Sequence, residues 1–458
     1  DAEAPGASRG SRSLCPRPLD GRCLGELFDQ LQPPLRSSQL FGGMTVASAD
    51  YPDYLRVLRD PGATLRVMRH TAQYCRDRIA GARRGYRIAN GQALVARLAQ
   101  AAIRHGAILQ LSSPVEALET RHRRVTGAVV MRPEGAHRIT AHVGVVLASG
   151  GVTGDQQLAG AFLDNLAAGQ THLRLVGPGV RGDGWRLALA AGAQRVTDVS
   201  NPCAWVPASR VPLPGGGHES FPHFIERAKP GVIAVNSEGR RFANEADTYH
   251  RFARALVEQA AGRPEAEGWI IADHRALRRF GVGAVPPWPA PIKPYLDRGY
   301  LRRAGTITDL ASAIGLPPSA LDETIAAFNR HAREGRDPAF GRGQSGINRH
   351  YGDPRSLPNP SLGPLEQAPF YAVRILPSDI GGFVGVRADA RARALDGEGQ
   401  PIPGLYVAGN DAASPFGGAY PAGGATIGPA MVFGALAALD MCRTNDADIP
   451  APSLMSAI

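Results

Sequence analysis

The segment of residues 404–441 places the tightest constraint on how this chain folds. Residues 405–407 are apolar, which predicts a short buried strand. Gly409 and Asn410 follow directly, at the strand end where α/β folds bind their ligands. A second glycine cluster, residues 417–428, leads into an apolar helix whose free N-terminal N–H groups attract anionic or electron-rich atoms. The alternative interpretation is a glycine-rich surface loop in front of a core helix.

The composition indicates a globular chain. It has 458 residues, of which 43% are apolar, and this length suits two or three domains. The net charge of +10 comes almost entirely from scattered arginines, so we expect no nucleic-acid partner. Five scattered cysteines form no CxxC motif, which argues against a disulfide framework and against a zinc site. With no signal peptide and no apolar stretch long enough for a bilayer, we expect a cytoplasmic protein without a stable membrane anchor.

The C-terminal segment resembles that of flavoproteins of the succinate dehydrogenase/fumarate reductase superfamily. It is most similar to the 3-ketosteroid Δ1-dehydrogenases, whose Tyr-Pro-x-x-Gly motif is matched by residues 420–424. The resemblance implies FAD as the cofactor, with Ala425, Thr426 and Ile427 against the flavin. It also implies that the N-terminus of the following helix stabilises negative charge on the reduced ring.

The resemblance implies an α/β fold, in which a Rossmann-like FAD-binding domain carries an inserted α+β cap domain. Residues 1–203 and 366–458 would form the FAD-binding domain, and residues 204–365 the cap or substrate domain. Family members open with a strand, a G-x-G-x-x-G turn and an acidic residue, but residues 1–20 resemble a stretch well inside those chains. We therefore expect roughly a hundred residues of the family pattern, including the first βαβ unit, to be absent.

Residues 177–182 match G-x-G-x-x-G by spacing alone. Pro178 would remove a backbone donor beside the pyrophosphate, which argues against a dinucleotide fingerprint. A Gly-Asp-Gly at residues 182–184 resembles the family's start of a helix near the flavin, and the strand end at residues 145–151 resembles its contact with the ADP half. The cofactor-binding residues implied by the resemblance are Asn90, Gly91, Ala93, Val115, Ser149, Gly150, Gly151, Gly182, Asp183, Gly184, Gly409, Asn410, Ala425, Thr426 and Ile427.

Local patterns predict several further elements. Helices are expected over residues 60–81 and from Asn90 to about residue 106, because both stretches carry helical apolar spacing. Short β-rich runs, with a hairpin turn at residues 121–124, predict strands at residues 108–111, 115–118, 125–131 and 143–148.

Residues 236–249, NSEGRRFANEADTY, form the second informative motif. The superfamily shares its N-x-x-G-x-R-[FY]-x-[ND]-E pattern. Four residues after the Glu, fumarate reductases carry a proton-delivering arginine and ketosteroid dehydrogenases a tyrosine, which here is Tyr249. No arginine lies between Phe416 and Gly428, where the fumarate enzymes clamp a carboxylate. Both differences imply a neutral, ketone-bearing substrate.

The resemblance also implies roles in a desaturation reaction. The Tyr420 hydroxyl and the Gly424 backbone N–H would hold the ketone oxygen, Tyr249 would take the α-proton, and the flavin would accept hydride. A second family tyrosine, which supports the base, precedes the stretch matched by residues 1–6 and so falls off this chain. Residues 378–382 resemble a family segment that approaches flavin and substrate, with Phe383 as a specificity residue. The alternatives are a tight glycine turn for that segment, and packing or surface roles for each tyrosine.

We therefore expect an FAD-dependent dehydrogenase that desaturates a C–C bond next to the ketone of a steroid-like substrate and uses an external electron acceptor. A flavin-dependent enone or fumarate-type reductase is the first alternative, and an inactive truncated remnant is the second. His218 and His223 match no metal signature, and we expect them to be core or pocket-lining residues rather than ligands.

Overall fold

The computed structural model describes residues 14–36 and 39–444 of the protein. These residues form two compact units. The first unit contains the described residues up to Leu109 together with Val206–Ser378, and the second contains Gln110–Trp205 and the described residues from Asp379 onward. The expected match of residues 1–20 to the interior of family chains lies largely outside the described residues. The predicted boundaries of the FAD-binding and cap domains stay a prediction.

The main sheet of the first unit is antiparallel in every pairing whose register is defined. Arg302–Ala304 also pairs with Phe370–Gly382, and Leu19–Asp20 forms a separate ladder with Arg87–Ile88. The strands of the main sheet run in the order His218–Pro222, Cys203–Pro212, Phe370–Gly382, Gly268–Ala272 and Val232–Asn236.

Both faces of this sheet are buried. Alternate residues of each strand point to opposite sides, so one strand contributes side chains to the cores on both faces. Ala234 packs with Phe252 on one face, whereas Ile233 packs with Phe328 on the other. Helices cover both faces. The helices of the first unit are Leu27–Gln30, Tyr51–Arg56, Pro61–Ile79, Asn90–Arg104, Tyr249–Glu258, His274–Phe280, Lys293–Asp297, Ile307–Ala313, Pro318–Arg333 and Gly346–Tyr351.

The second unit contains a parallel strand pair, Val145–Leu147 and Pro401–Val407, in which Leu405 lies opposite Val145. Arg393–Leu395 pairs antiparallel with the longer strand. The other strands are Val115–Arg121, Arg124–Arg132 and Gly135–Thr140 in one antiparallel sheet, the pair Gly385–Val386 and Arg195–Val196, and Leu173–Arg174. The helices are Gln156–Ala159, Asp164–Ala167, Asp183–Ala190 and Ile427–Thr444.

Most of the local predictions are confirmed. The helices Pro61–Ile79 and Asn90–Arg104 are present, and Asp60 caps the first by accepting from Ala63 N. The hairpin turn is also present, since His122 and Arg123 adopt φ values of 49° and 62°, as a two-residue β-hairpin loop requires.

The predicted strand at residues 108–111 is wrong. These residues form no strand, and Ile108, Leu109 and Leu111 are 85%, 54% and 50% exposed. A β-rich run forms a strand only where a neighbouring strand and a buried face are available. In the described residues, no helix is long and apolar enough to cross a membrane.

Candidate active site

The parallel strand pair of the second unit brings two polar loops to one edge of the sheet. Ser149, Gly150 and Gly151 follow the strand Val145–Leu147, and Gly409–Asp411 follows the strand Pro401–Val407. Carboxyl ends of neighbouring parallel strands lie side by side, and ligands of α/β folds bind there. The predicted cofactor residues Ser149, Gly150, Gly151, Gly409 and Asn410 therefore lie at one edge of this sheet, and their binding of a cofactor stays a prediction.

Asp411 joins the two loops. Its buried carboxylate accepts from the backbone N–H of Ser149, from Ser149 Oγ at 3.1 Å and from Gly151 N at 3.0 Å. Burial raises the pKa of Asp411 above its ordinary value, although these donors oppose the shift. Gly184 N in turn donates to Ser149 Oγ at 3.0 Å, so the Gly-Asp-Gly segment meets the same loop.

Two positions in this cluster accept only glycine. A Cβ on Gly184 would lie 2.7 Å from Ser149 Oγ and would also collide with the Asp411 carboxylate. A Cβ on Gly151, whose φ is +89°, would lie 2.7 Å from the carbonyl oxygen of Asn410. Bare backbone at these points permits the close approach of a ligand. Gly182 has a φ of +75° and caps the helix Asp183–Ala190, as the resemblance implies for the start of this helix.

The segment Asp379–Gly382 is the end of the long strand Phe370–Gly382, so its interpretation as a tight turn is wrong. Asp379 is buried and lies 2.8 Å from Thr153 Oγ1, 2.9 Å from His172 Nε2 and 2.9 Å from Gly381 N. These bonds connect the end of the strand to Thr153 and His172. Gly381 has a φ of +141°, and a Cβ there would collide with the Asn410 amide, so the segment lies close to the loop after the strand Pro401–Val407.

The loop before the helix Ile427–Thr444 carries Tyr420 and Gly424. The Tyr420 ring is half-buried and stacks on the buried Phe383, with ring centroids 6.1 Å apart. Gly424 has a φ of +92°, and no described residue accepts a hydrogen bond from its N–H. This N–H is therefore available to a ligand.

An apolar cavity of about 420 Å³ opens at the start of this helix. Its lining includes Phe416, Gly424, Ala425 and Val432. Ile427, Met431 and Val432 are 49%, 46% and 55% exposed, so the first two turns of this helix carry exposed apolar side chains. Three features fit a flat, partly anionic ring system such as a flavin. They are the backbone at Gly151 and Gly184 that admits no side chain, the Gly424 N–H without an acceptor among the described residues, and the exposed apolar start of the helix Ile427–Thr444.

Tyr249 lies in the first unit, as the first residue of the helix Tyr249–Glu258. Thr248 caps this helix by accepting from Arg251 N at 3.4 Å. The half-buried Tyr249 ring packs edge-on against Phe224, with ring centroids 5.0 Å apart. A helix N-terminus favours negative charge, so this place suits a residue that gives up its proton.

A buried ion cluster fixes the loop before Tyr249. Glu245 accepts from Arg241 Nε at 2.7 Å, from Arg342 Nη1 at 3.1 Å and from Ala234 N at 3.1 Å. Arg241 also bonds to Asp337 at 2.9 Å. Burial opposes ionisation of Glu245, but Arg241 and Arg342 outweigh it, so the pKa of Glu245 lies below its ordinary value.

The remaining predicted cofactor residues belong to other elements than the two loops that Asp411 joins. Asn90, Gly91 and Ala93 begin the helix Asn90–Arg104 in the first unit, where Asn90 adopts a φ of 53° and donates to Val46 O at 3.2 Å. Val115 begins the strand Val115–Arg121 in the second unit and packs against its core.

The sequence prediction missed Asp411 and His172, and it included Asp379 only as part of the segment of residues 378–382. An acidic residue directly after Gly409 and Asn410 is a usable signal for Asp411, whereas nothing local marks His172 as a partner of Asp379. His223 is fully buried beside Glu226, whose Oε1 lies 2.5 Å from its Nδ1, but His218 is exposed and so is not a core residue.

Comparison with known protein families gives one match over most of the chain. The family model described as an FAD binding domain matches residues 5–427.

Two curated relatives align along nearly the whole chain. The 4-oxocyclohex-2-ene-1-carboxylate 5-dehydrogenase of Sinomonas cyclohexanicum is 37% identical over 447 residues, which cover 97% of this chain and 75% of the relative. The 3-oxosteroid 1-dehydrogenase of Mycolicibacterium smegmatis is 33% identical over 454 residues, which cover 96% of this chain and 77% of the relative.

Among solved structures, the 3-ketosteroid Δ1-dehydrogenase of Sterolibacterium denitrificans, in complex with 1,4-androstadiene-3,17-dione, matches with a TM-score of 0.85. It is 33% identical, and the match covers 96% of this chain and 78% of that one.

Proposed function

The chain belongs to the FAD-binding-domain family and is an FAD-dependent dehydrogenase of the 3-oxosteroid 1-dehydrogenase type, and we propose that it desaturates the C–C bond next to the ketone of a cyclic substrate. The observation that carries the proposal is the loop before the helix Ile427–Thr444. Gly424 lines an apolar cavity there and its N–H has no acceptor among the described residues, while the ring of Tyr420, earlier in the same loop, stacks on Phe383.

The chemistry requires the α-hydrogen of the ketone to become acidic. Tyr420 donates its hydroxyl proton, and Gly424 its backbone N–H, to the ketone oxygen. Two donors at this oxygen stabilise the negative charge that develops as the α-carbon loses its proton. The stacking of Tyr420 on Phe383 holds the ring in place, so that little reorganisation is needed during the reaction.

Tyr249 removes the proton as a general base. Its place at the N-terminus of the helix Tyr249–Glu258 favours negative charge on the hydroxyl oxygen. The ring contact with Phe224 restricts its orientation, and general-base efficiency depends first on geometry.

FAD, when bound, supplies the acceptor for the hydride from the β-carbon. The residues that would hold it are Ser149, Gly150, Gly151, Gly182, Asp183, Gly184, Gly409, Asn410, Ala425, Thr426 and Ile427 in the second unit, with Val115 there and Asn90, Gly91 and Ala93 in the first. Turnover requires an external electron acceptor.

The preferred substrate is a neutral, steroid-like ketone, because the loop between Phe416 and Gly428 has no arginine and the cavity beside it is apolar. The smaller ketone 4-oxocyclohex-2-ene-1-carboxylate is a second candidate. It is favoured by the Sinomonas relative, which is the more similar of the two curated relatives described above.

The test is anaerobic mixing of the FAD-loaded protein with 4-androstene-3,17-dione or with 4-oxocyclohex-2-ene-1-carboxylate. The expected result is loss of the flavin absorbance and a product lighter by two hydrogens. Tyr249→Phe and Tyr420→Phe should each lower kcat by about 100-fold or more. Tyr406→Phe is the matched control, since its buried hydroxyl bonds to Asp440 at 3.1 Å.

Full turnover by Tyr249→Phe or Tyr420→Phe contradicts the proposed roles. Reduction of an enone by the chemically reduced protein, without dehydrogenation, would instead support the reductase alternative. A protein that binds no FAD would support the inactive alternative.

A further inference from the structure

Arg227 is a fully buried cation in the first unit that the reaction described above does not use. In the described residues, no carboxylate forms an ion pair with it. Its guanidinium instead donates to backbone carbonyls: Nη1 to Glu245 O, Nη2 to Asp247 O at 2.7 Å and to Phe224 O at 3.3 Å, and Nε to His223 O at 3.3 Å. Burying a charge is costly unless such partners satisfy it, so this arrangement is specifically built.

The four carbonyls belong to two chain segments that meet at Tyr249. One segment carries Phe224, whose ring contacts Tyr249, and the other ends two residues before Tyr249. The guanidinium also lies 4.9 Å from the ring centroid of Phe252, one turn further along the same helix. Arg227 therefore contacts the backbone of Phe224, the segment that ends two residues before Tyr249, and the helix that Tyr249 begins.

We propose that Arg227 is a positioning residue that fixes Tyr249 against Phe224 in the orientation needed for proton removal. The proposal rests on the proposed function, in which Tyr249 is the base. It adds a residue that touches neither substrate nor cofactor and acts through the base.

The geometry requires arginine rather than lysine. A planar guanidinium directs its N–H groups to several carbonyls at fixed angles, whereas an ammonium has three donors at one point. Burial lowers the pKa of Arg227 to about 10, so arginine keeps its charge at neutral pH. A lysine at this depth starts from a lower pKa and loses charge more readily.

The test is a double-mutant cycle on the FAD-loaded protein, with Arg227→Lys, Tyr249→Phe and the double variant. Arg227→Lys is expected to lower kcat by about 10- to 100-fold, since a displacement of about 1 Å can cost that much. KM and the flavin absorbance near 450 nm should stay close to those of the unsubstituted protein. The double variant should be no slower than Tyr249→Phe alone, because the effect passes through Tyr249.

Arg84→Lys is the matched control. Arg84 is half-buried in the first unit, donates to the backbone carbonyls of Phe28 at 2.6 Å and Leu31 at 3.0 Å, and lies 4.4 Å from the ring centroid of Phe28, but it donates to neither the Phe224 nor the Asp247 segment. It should lower Tm as Arg227→Lys does, with a much smaller change in kcat.

The outcomes distinguish a failure of the positioning role of Arg227 from a failure of the proposed function. Additive losses in the double variant, or equal kcat losses in the two lysine variants, overturn the positioning role and leave Tyr249 as the base. Full turnover by Tyr249→Phe overturns the proposed function itself, and the positioning role with it. Where Arg227→Lys does not fold, Phe224→Leu replaces it, since it removes the ring contact and keeps the buried cation. Unchanged kcat in Phe224→Leu also overturns the proposal.

Discussion

At the scale of single residues, the second unit depends on glycines that leave room for polar neighbours. The clearest case is Gly184, whose missing side chain makes space for both the Asp411 carboxylate and the Ser149 hydroxyl. The sequence predicted Gly184, Ser149 and Gly151 from their resemblance to a family pattern. It did not predict Asp411, which orders them through hydrogen bonds to residues about 260 positions away.

Gly184→Ala is expected to destabilise the protein by about 1–3 kcal/mol, because the added methyl group overpacks a closely filled site. FAD affinity should fall as well, since the Ser149 loop must move. Thermal unfolding without FAD and a titration followed near 450 nm measure the two effects.

Gly397→Ala is the control for this substitution, because a Cβ there meets no heavy atom within 4 Å. If Gly184→Ala and Gly397→Ala behave alike in both measurements, the close approach at Gly184 has no energetic consequence.

At the scale of elements, the helix Tyr249–Glu258 is anchored at its start by buried ions rather than by apolar packing alone. Glu245 is fully buried and connects Arg241 and Arg342 to the strand Val232–Asn236 through Ala234 N. The pattern at residues 236–249 begins with a turn in which Asn236 Oδ1 accepts from Glu238 N and Arg240 N. It could not predict Arg342 or Asp337, which arrive from elsewhere in the chain.

The cluster predicts how the stability of the first unit depends on pH. The pKa of Glu245 is lowered from its ordinary 4.5, so its stabilising effect is present above that value and is lost as pH falls through the folded-state pKa. Asp337, whose pKa is also lowered despite burial because Arg241 bonds to it, acts in the same direction. We expect Tm to fall steeply below about pH 4.5.

Glu245→Gln should remove about 3–5 kcal/mol of stability at pH 7, because it leaves buried arginines without their charge partner, and should flatten the acid dependence. Glu323→Gln is the control, since Glu323 is 64% exposed in its pair with Arg240 and surface pairs contribute little. Thermal unfolding measured from about pH 3 to about pH 8, a range that includes the ordinary pKa values of Asp and Glu, gives the stability at pH 7 and its acid dependence. A variant that keeps the steep acid dependence contradicts the role of Glu245.

At the scale of the whole molecule, the predicted cofactor residues divide between the two compact units.

Binding of FAD is expected to stabilise the folded protein, because a ligand that binds only the native state stabilises it by about 2.7 kcal/mol at a concentration of 100 times Kd. FAD should therefore raise the unfolding temperature by at least about 2–4 °C. NAD, which has the same ADP moiety as FAD but no isoalloxazine ring, should raise the unfolding temperature less.

Scanning calorimetry with FAD, with NAD and without ligand makes this comparison. Equal shifts with FAD and NAD would mean that the exposed apolar helix start at Ile427 and Val432 does not receive the flavin ring.

The sequence by itself determined the elements whose signals are local. Three signals depend on neighbours within a few positions: the apolar run before Gly409, the turn between Arg121 and Arg124, and the apolar spacing of the helices Pro61–Ile79 and Asn90–Arg104. Residues 108–111 had strand-like composition but no partner strand, and composition alone could not reveal that.

The tertiary structure alone decided which polar groups meet. Two of these contacts join residues more than 200 positions apart, Asp411 with Ser149 and Asp379 with His172. A third joins Arg227 to the carbonyl of Asp247, 20 positions away. Burial requires each of these groups to have a partner, but only the folded chain determines which partner comes within hydrogen-bonding distance. For that reason the sequence predicted candidate residues for the reaction, and the structure showed which polar groups contact the segments that carry them.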